Sequence, residues 1–168
     1  MFTAASLINS RLVSEEEKHR LIALMDAYAK TEKGKFLNYI NYRNIDFYWC
    51  DEMKDSGGVM GAWLFWLGAR VYLLPWNDAS TPSAKGGDTW CSLIAPTLVH
   101  ELCHVWQYKR SWLLYILSCL PIVRKYTIEK EANVVWKDAI KFFQDLDNIK
   151  CVIASNERMK KWAENHNT

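Results

Sequence analysis

TLVHELCHVWQ, residues Thr97 to Gln107, decides how this chain is read. His100 and His104 stand four apart, so on a helix they share one face and can aim at a single ion. Glu101 follows the first histidine and points about 100° further round the helix. That makes it a poor ligand beside both histidines and a good acceptor for a proton from a metal-bound water. This division of labour underlies H-E-x-x-H: two imidazoles hold zinc, and a carboxylate takes the proton as the water attacks a carbonyl. The bland alternative is a helix whose histidines hydrogen-bond in the interior. Cys103 lies inside the motif and could ligate zinc as a thiolate. A small packed residue is the better reading, because free cysteine is usually buried.

A catalytic zinc needs a third protein ligand and one open position. The next helical stretch, TIEKEANVVW from Thr127 to Trp136, supplies a candidate. On a helix, Glu129, Ala132 and Asn133 fall at i, i+3 and i+4 on one face, and Glu131 points to the far side. Glu129 is the carboxylate for the metal, and Ala132 lets two helices approach closely. Asn133, one turn on, is placed to hold a ligand histidine through a hydrogen bond. The competing reading is that Glu129 and Glu131 only favour the dipole of a helical first turn. The other two histidines, His19 and His166, have no ligand-like neighbours and are expected at the surface.

The flanking sequence organises around this helix. Ser14-Glu15-Glu16-Glu17 reads as a capping box, followed by Leu21, Leu24, Met25 and Tyr28 at helical spacing. That helix is expected to stop near Gly34. NIDFYWC, Asn44 to Cys50, reads as a strand, and Asp55-Ser56-Gly57-Gly58 as a turn or loop. GAWLFW and ARVYLLP, Gly61 to Pro75, read as a hairpin turning at Gly68-Ala69. A small polar loop runs from Trp76 to about Trp90. The motif helix is expected from about Ser92 to Arg110, with Pro96 in or before its first turn. A third helix is expected from about Thr127 to Asp147, with a short separate helix from Ser155 to about Asn165. The order helix, strands, helix, helix gives an α+β class. No repeat or linker divides the chain, so 1–168 is read as one domain.

Composition limits the function classes. The 168 residues are 50% apolar and 24% charged, an ordinary globular balance, and the net charge of +2 gives no reason to invoke nucleic acid. Five cysteines, an odd number with no C-x-x-C pair, argue against a disulfide framework and a cysteine-based zinc knuckle. MFTAASLINSR lacks a basic leader, so no secretory signal and a cytoplasmic location are expected. Ser111 to Val123, SWLLYILSCLPIV, is nearly all apolar but too short to span a bilayer, which takes about 20 residues. It reads as a buried or groove-lining helix in preference to an interfacial anchor.

HELCHVWQYKR followed by EKEAN resembles the small gluzincin metallopeptidases, with H-E-x-x-H on one helix and E-x-x-A-D or E-x-x-A-N on the next. With GAWLFWLGARVYLLP and the polar loop upstream, the stretch from Val59 to Trp136 resembles the HExxH domain encoded beside bacterial contractile injection systems. The E-x-x-A-N ending is also similar to the metallopeptidase domains of phage-repressor-cleaving and radiation-response regulators. The resemblance implies a zincin-like fold: a small sheet packed on the motif helix, followed by a helix with the third ligand. It implies zinc on His100, His104 and Glu129, with Glu101 as general base, and a peptide or protein substrate. It also implies that substrate backbone pairs with a sheet edge from the Gly61–Leu74 hairpin. Asn133 stands where many relatives carry aspartate. Tyr108 and Tyr126 are the candidates for stabilising an oxyanion, and either could equally be structural. The apolar segment Trp112–Val123 offers a substrate groove or a surface for a protein partner. The alternative function is a zincin-fold module that binds or assembles without cutting, such as a component of a phage or injection particle.

Overall fold

A computed structural model describes residues 10–50, 58–62, 69–73, 94–113, 115 and 127–166, with backbone alone for 58–62 and 148–166. The architecture is α+β, as expected from the order of elements. Strand β1 (Arg11–Leu12) leads into helix α1 (Glu15–Tyr28). Two 3₁₀ segments follow, Lys33–Tyr39 and Tyr42–Asn44. Then come β2 (Asp46–Trp49), β3 (Gly58–Ala62), β4 (Ala69–Leu73), α2 (Ala95–Arg110) and α3 (Ile128–His166).

The capping box forms at the start of α1. The Glu17 N–H donates to Ser14 Oγ at 3.3 Å, and Glu17 Oε2 accepts from the Ser14 N–H at 2.9 Å and from its hydroxyl at 2.8 Å. Burial works to raise the Glu17 pKa, but the hydrogen bonds from Ser14, joined by Trp49 and Arg11, together outweigh it and hold the carboxyl down at about 2. Leu21, Leu24, Met25 and Tyr28 are all buried, as their spacing requires.

The helix ends at Tyr28, six residues before the expected stop at Gly34. The chain tightens into a turn there: the Thr31 N–H bonds to Tyr28 O at 2.9 Å, and the Gly34 N–H to Thr31 Oγ1 at 3.0 Å. Gly34 crosses directly over the last carbonyl of α1, where a Cβ would collide with Tyr28 O and C. The glycine therefore answers a close approach and not a helix cap. Gly34→Ala should destabilise the protein by about 1–3 kcal/mol, the usual cost of overpacking a filled site. Chemical denaturation reads this directly, and an unchanged midpoint would show that the turn can open without cost.

The strands form one mixed sheet in the order β1-β2-β4-β3. β2 and β4 are parallel, in the register Asp46↔Arg70 to Trp49↔Leu73. The two outer pairs are antiparallel. Alternation sorts the faces. Phe47, Trp49, Val71 and Leu73 are buried on one, while Tyr48 and Tyr72 stack on the other with ring centroids 5.1 Å apart. The expected hairpin exists as β3 and β4, but its register differs. Gly58 opens β3 and is not part of a turn, and Ala69 pairs with Ala62, so the connection comprises residues 63–68. The polar loop from Trp76 lies outside the described residues.

Helix α2 packs on β3 and β4, and it also meets α3, the most extensive helix pairing among the described residues. Ile128, Ala132, Val135, Ala139 and Phe143 form the buried seam of α3. Tyr28 ties α1 to it, with its hydroxyl donating to Asp138 Oδ2 at 2.9 Å and its ring against Phe142 and Phe143. α3 runs unbroken to His166, so the separate tail helix is the end of this one. No glycine or proline stands between Ile128 and His166 to interrupt it. Trp112 and Leu113 are exposed at the start of the apolar run expected to be a buried or groove-lining helix, and most of that run, 114 and 116–123, lies outside the described residues. Among the described residues no helix is long and apolar enough to cross a membrane.

Candidate metal centre

Pro96 sits in the first turn of α2, where a missing N–H costs nothing, and the helix then runs through the motif without interruption. The i, i+4 spacing brings the two imidazoles together, with His104 Nε2 3.1 Å from His100 Nε2. The third atom comes from α3. Fully buried Ala132 allows the close approach of α2, and Glu129, one turn earlier, extends toward the histidines. Glu129 Oε2 lies 3.5 Å from His100 Nε2 and 3.7 Å from His104 Nε2. His100, His104 and Glu129 thus form a group able to hold a metal ion. Their side chains are 17%, 6% and 22% exposed.

The chemistry of these atoms calls for a cation. Gln107 is buried, and its Nε2 donates to Ile128 O and to Glu131 Oε2, each at 3.0 Å. The reversed amide would set oxygen against oxygen at both contacts, so the orientation is determined. Gln107 Oε1 then faces His104 Nδ1 at 2.8 Å, and Nδ1 must carry the hydrogen. Neutral His104 therefore turns a lone pair at Nε2 toward His100 and Glu129. Burial alone would lower the His104 pKa. The Glu129 carboxylate 3.7 Å away, the charge of Glu101 and the hydrogen bond to Gln107 together raise it. The pocket thus favours positive charge at Nε2, which a proton or a metal ion can supply. A tetrahedral ion bound at about 2.0–2.1 Å has ligand atoms about 3.3–3.4 Å apart. The three edges of 3.1, 3.5 and 3.7 Å bracket that spacing.

Glu101 is buried on α2, 5% exposed, and its charge acts on both His104 and Cys103. Cys103 is fully buried and stands outside the group of metal-holding atoms. Burial first, and the charges of Glu131 and Glu101 after it, push its thiol up to about 12, far from the thiolate that zinc requires. It lines a groove of about 670 Å³ together with Phe36, Trp106 and Val134.

Other expected positions fall differently. Asn133 is exposed: the seam of α3 runs through Ile128, Ala132 and Val135, which turns the i+4 position away from α2. The amide that holds His104 is Gln107 instead, and Glu131, read as facing away, reaches back to Gln107. Sequence reasoning missed Gln107, although it stands three residues after His104 and so on the same face. Tyr108 meets Tyr115 edge to face at 5.8 Å, and Tyr115 is the ring beside His104, at 6.3 Å between centroids. Tyr126 lies outside the described residues. His19 is exposed on α1. Comparison of the chain with models of known families, with curated proteins and with solved structures gives no match.

Proposed function

We propose that this chain is a zinc-dependent metallopeptidase with a zincin-like fold. The observation that carries the reading is the convergence of His100 Nε2, His104 Nε2 and Glu129 Oε2 beside buried Glu101. Two imidazoles and a carboxylate suit zinc, and three protein ligands leave the open position that separates catalytic from structural sites. The chemistry zinc supplies when bound is the polarisation of a water and of the scissile carbonyl. Glu101 would serve as the base that accepts a proton from the attacking water and as the acid that returns it to the leaving amine. Gln107 keeps His104 oriented throughout. The sheet supports a peptide substrate: β3 is an edge strand packed beside α2, and an extended peptide can add to such an edge.

Exposed Trp112 and Leu113, directly after α2, favour a second reading in which the domain docks on a protein partner and does not cut. One experiment separates the two. The zinc-loaded protein is incubated with a complex peptide mixture, and new N-termini are read by mass spectrometry with and without 1,10-phenanthroline. Peptidase activity predicts chelator-sensitive cleavage that returns on adding zinc. Folded, zinc-loaded protein that produces no new termini supports the binding module instead.

A further inference from the structure

We infer that Gln107 is the positioning residue of this centre, setting the tautomer of His104 and, with the same amide, the placement of Glu129. The inference rests on the metal reading above and goes beyond it by assigning what brings ligands from two helices into register. Both hydrogens of Nε2 and the oxygen Oε1 are engaged. Oε1 accepts the His104 Nδ1–H, and Nε2 donates to Ile128 O and Glu131 Oε2. Those last two contacts fall on residues that flank Glu129 in the first turn of α3. The contact with the Ile128 carbonyl ties the backbone of that turn to α2, and the contact with Glu131 adds a second tether within the same turn, so both bear on the direction in which Glu129 leaves it.

Only an amide of this length does both tasks. A glutamate at 107 would still accept from His104 Nδ1–H, but it could not donate to the Ile128 carbonyl and would set a second negative charge against Glu131. A leucine would fill the space and do neither. Asparagine is one methylene short. Partners of metal-ligating histidines commonly contribute about 10- to 100-fold to metal affinity. Here the same group also sets the third ligand, so its removal is felt at two of the three corners of the site.

The test compares zinc affinity, by competition with a chromophoric chelator, in the wild type, Gln107→Leu, Gln107→Glu and Glu131→Ala. Nitrogen-15 NMR of the metal-free wild type, at a pH where the imidazole is neutral, reads the His104 tautomer. The wild type should show hydrogen on Nδ1. Gln107→Leu should bind zinc about 10- to 100-fold more weakly and lose the single tautomer. Gln107→Glu should keep the tautomer and still lose affinity. Glu131→Ala, at an exposed position, should lose affinity by a smaller factor with the tautomer unchanged. If Gln107→Leu fails to fold, Glu131→Ala and the wild-type spectrum still decide the matter. Equal zinc affinity in the wild type and the folded variants, or hydrogen on Nε2 of wild-type His104, overturns the assignment. A wild type that takes up no zinc at all sinks the metal centre itself, a result distinct from either of these.

Discussion

Replacing Glu101 with glutamine should leave zinc bound at one ion per chain and lower peptide cleavage by about 10²- to 10⁴-fold, the range for losing a general base. The substitution keeps the size and shape of a side chain that is only 5% exposed, so the packing of α2 on the sheet is undisturbed. What disappears is the one proton acceptor that the motif sets next to the histidines without using it as a ligand. The loss should fall on kcat more than on KM, because the proton moves only in the chemical step. Elemental analysis for zinc, run beside steady-state kinetics, gives both halves of the result. Activity within tenfold of the wild type would put the base elsewhere. Loss of zinc together with activity would make Glu101 a ligand.

The second large effect concerns the metal. His104→Ala and Glu129→Ala should each leave no stoichiometric zinc at micromolar metal, because each removes one of three corners from the site. The consequence extends to stability. Zinc at about 100 times its Kd should stabilise the wild type by about 2.7 kcal/mol, which for a chain of this size corresponds to roughly 5–11 °C in Tm. That shift should vanish in both variants. In His104→Ala the Gln107 oxygen also loses its donor. Glu131→Ala makes the sharper control. It removes an acid two residues from Glu129 that reaches the site through Gln107, so the zinc-dependent shift should persist, diminished. Equal loss in Glu129→Ala and Glu131→Ala would mean that the first turn of α3 acts through its charge and not through one ligand atom.

The difference between these two glutamates marks what can be read along one helix and what cannot. Periodicity puts His100 and His104 on one face, Glu101 off it, and Glu129 on a face with Ala132. Each of those statements concerns residues within a turn of one another. The α+β class follows in the same way, from local patterns in order. Contacts between elements are another matter. The parallel pairing of β2 with β4, with β3 outside them, depends on segments far apart in the chain. The seam of α3 that turns Asn133 to solvent is decided by how α2 lies against it. The reach of Glu131 to Gln107 is decided there too. Gly34 shows a third kind of gap. Its glycine signal marked a real backbone demand near the end of α1, but the demand was room over the Tyr28 carbonyl, which no local pattern displays.

The central claim is that two imidazoles and one carboxylate hold a single zinc. X-ray absorption at the zinc edge, on protein loaded with one equivalent, tests it most directly. The account predicts two imidazole nitrogens at about 2.0–2.1 Å, the remaining ligands oxygen at about 2.0–2.2 Å, and no sulfur. A sulfur scatterer at about 2.3 Å would bring Cys103 into the site, and a protein that takes up no zinc would leave no site at all; either contradicts the account.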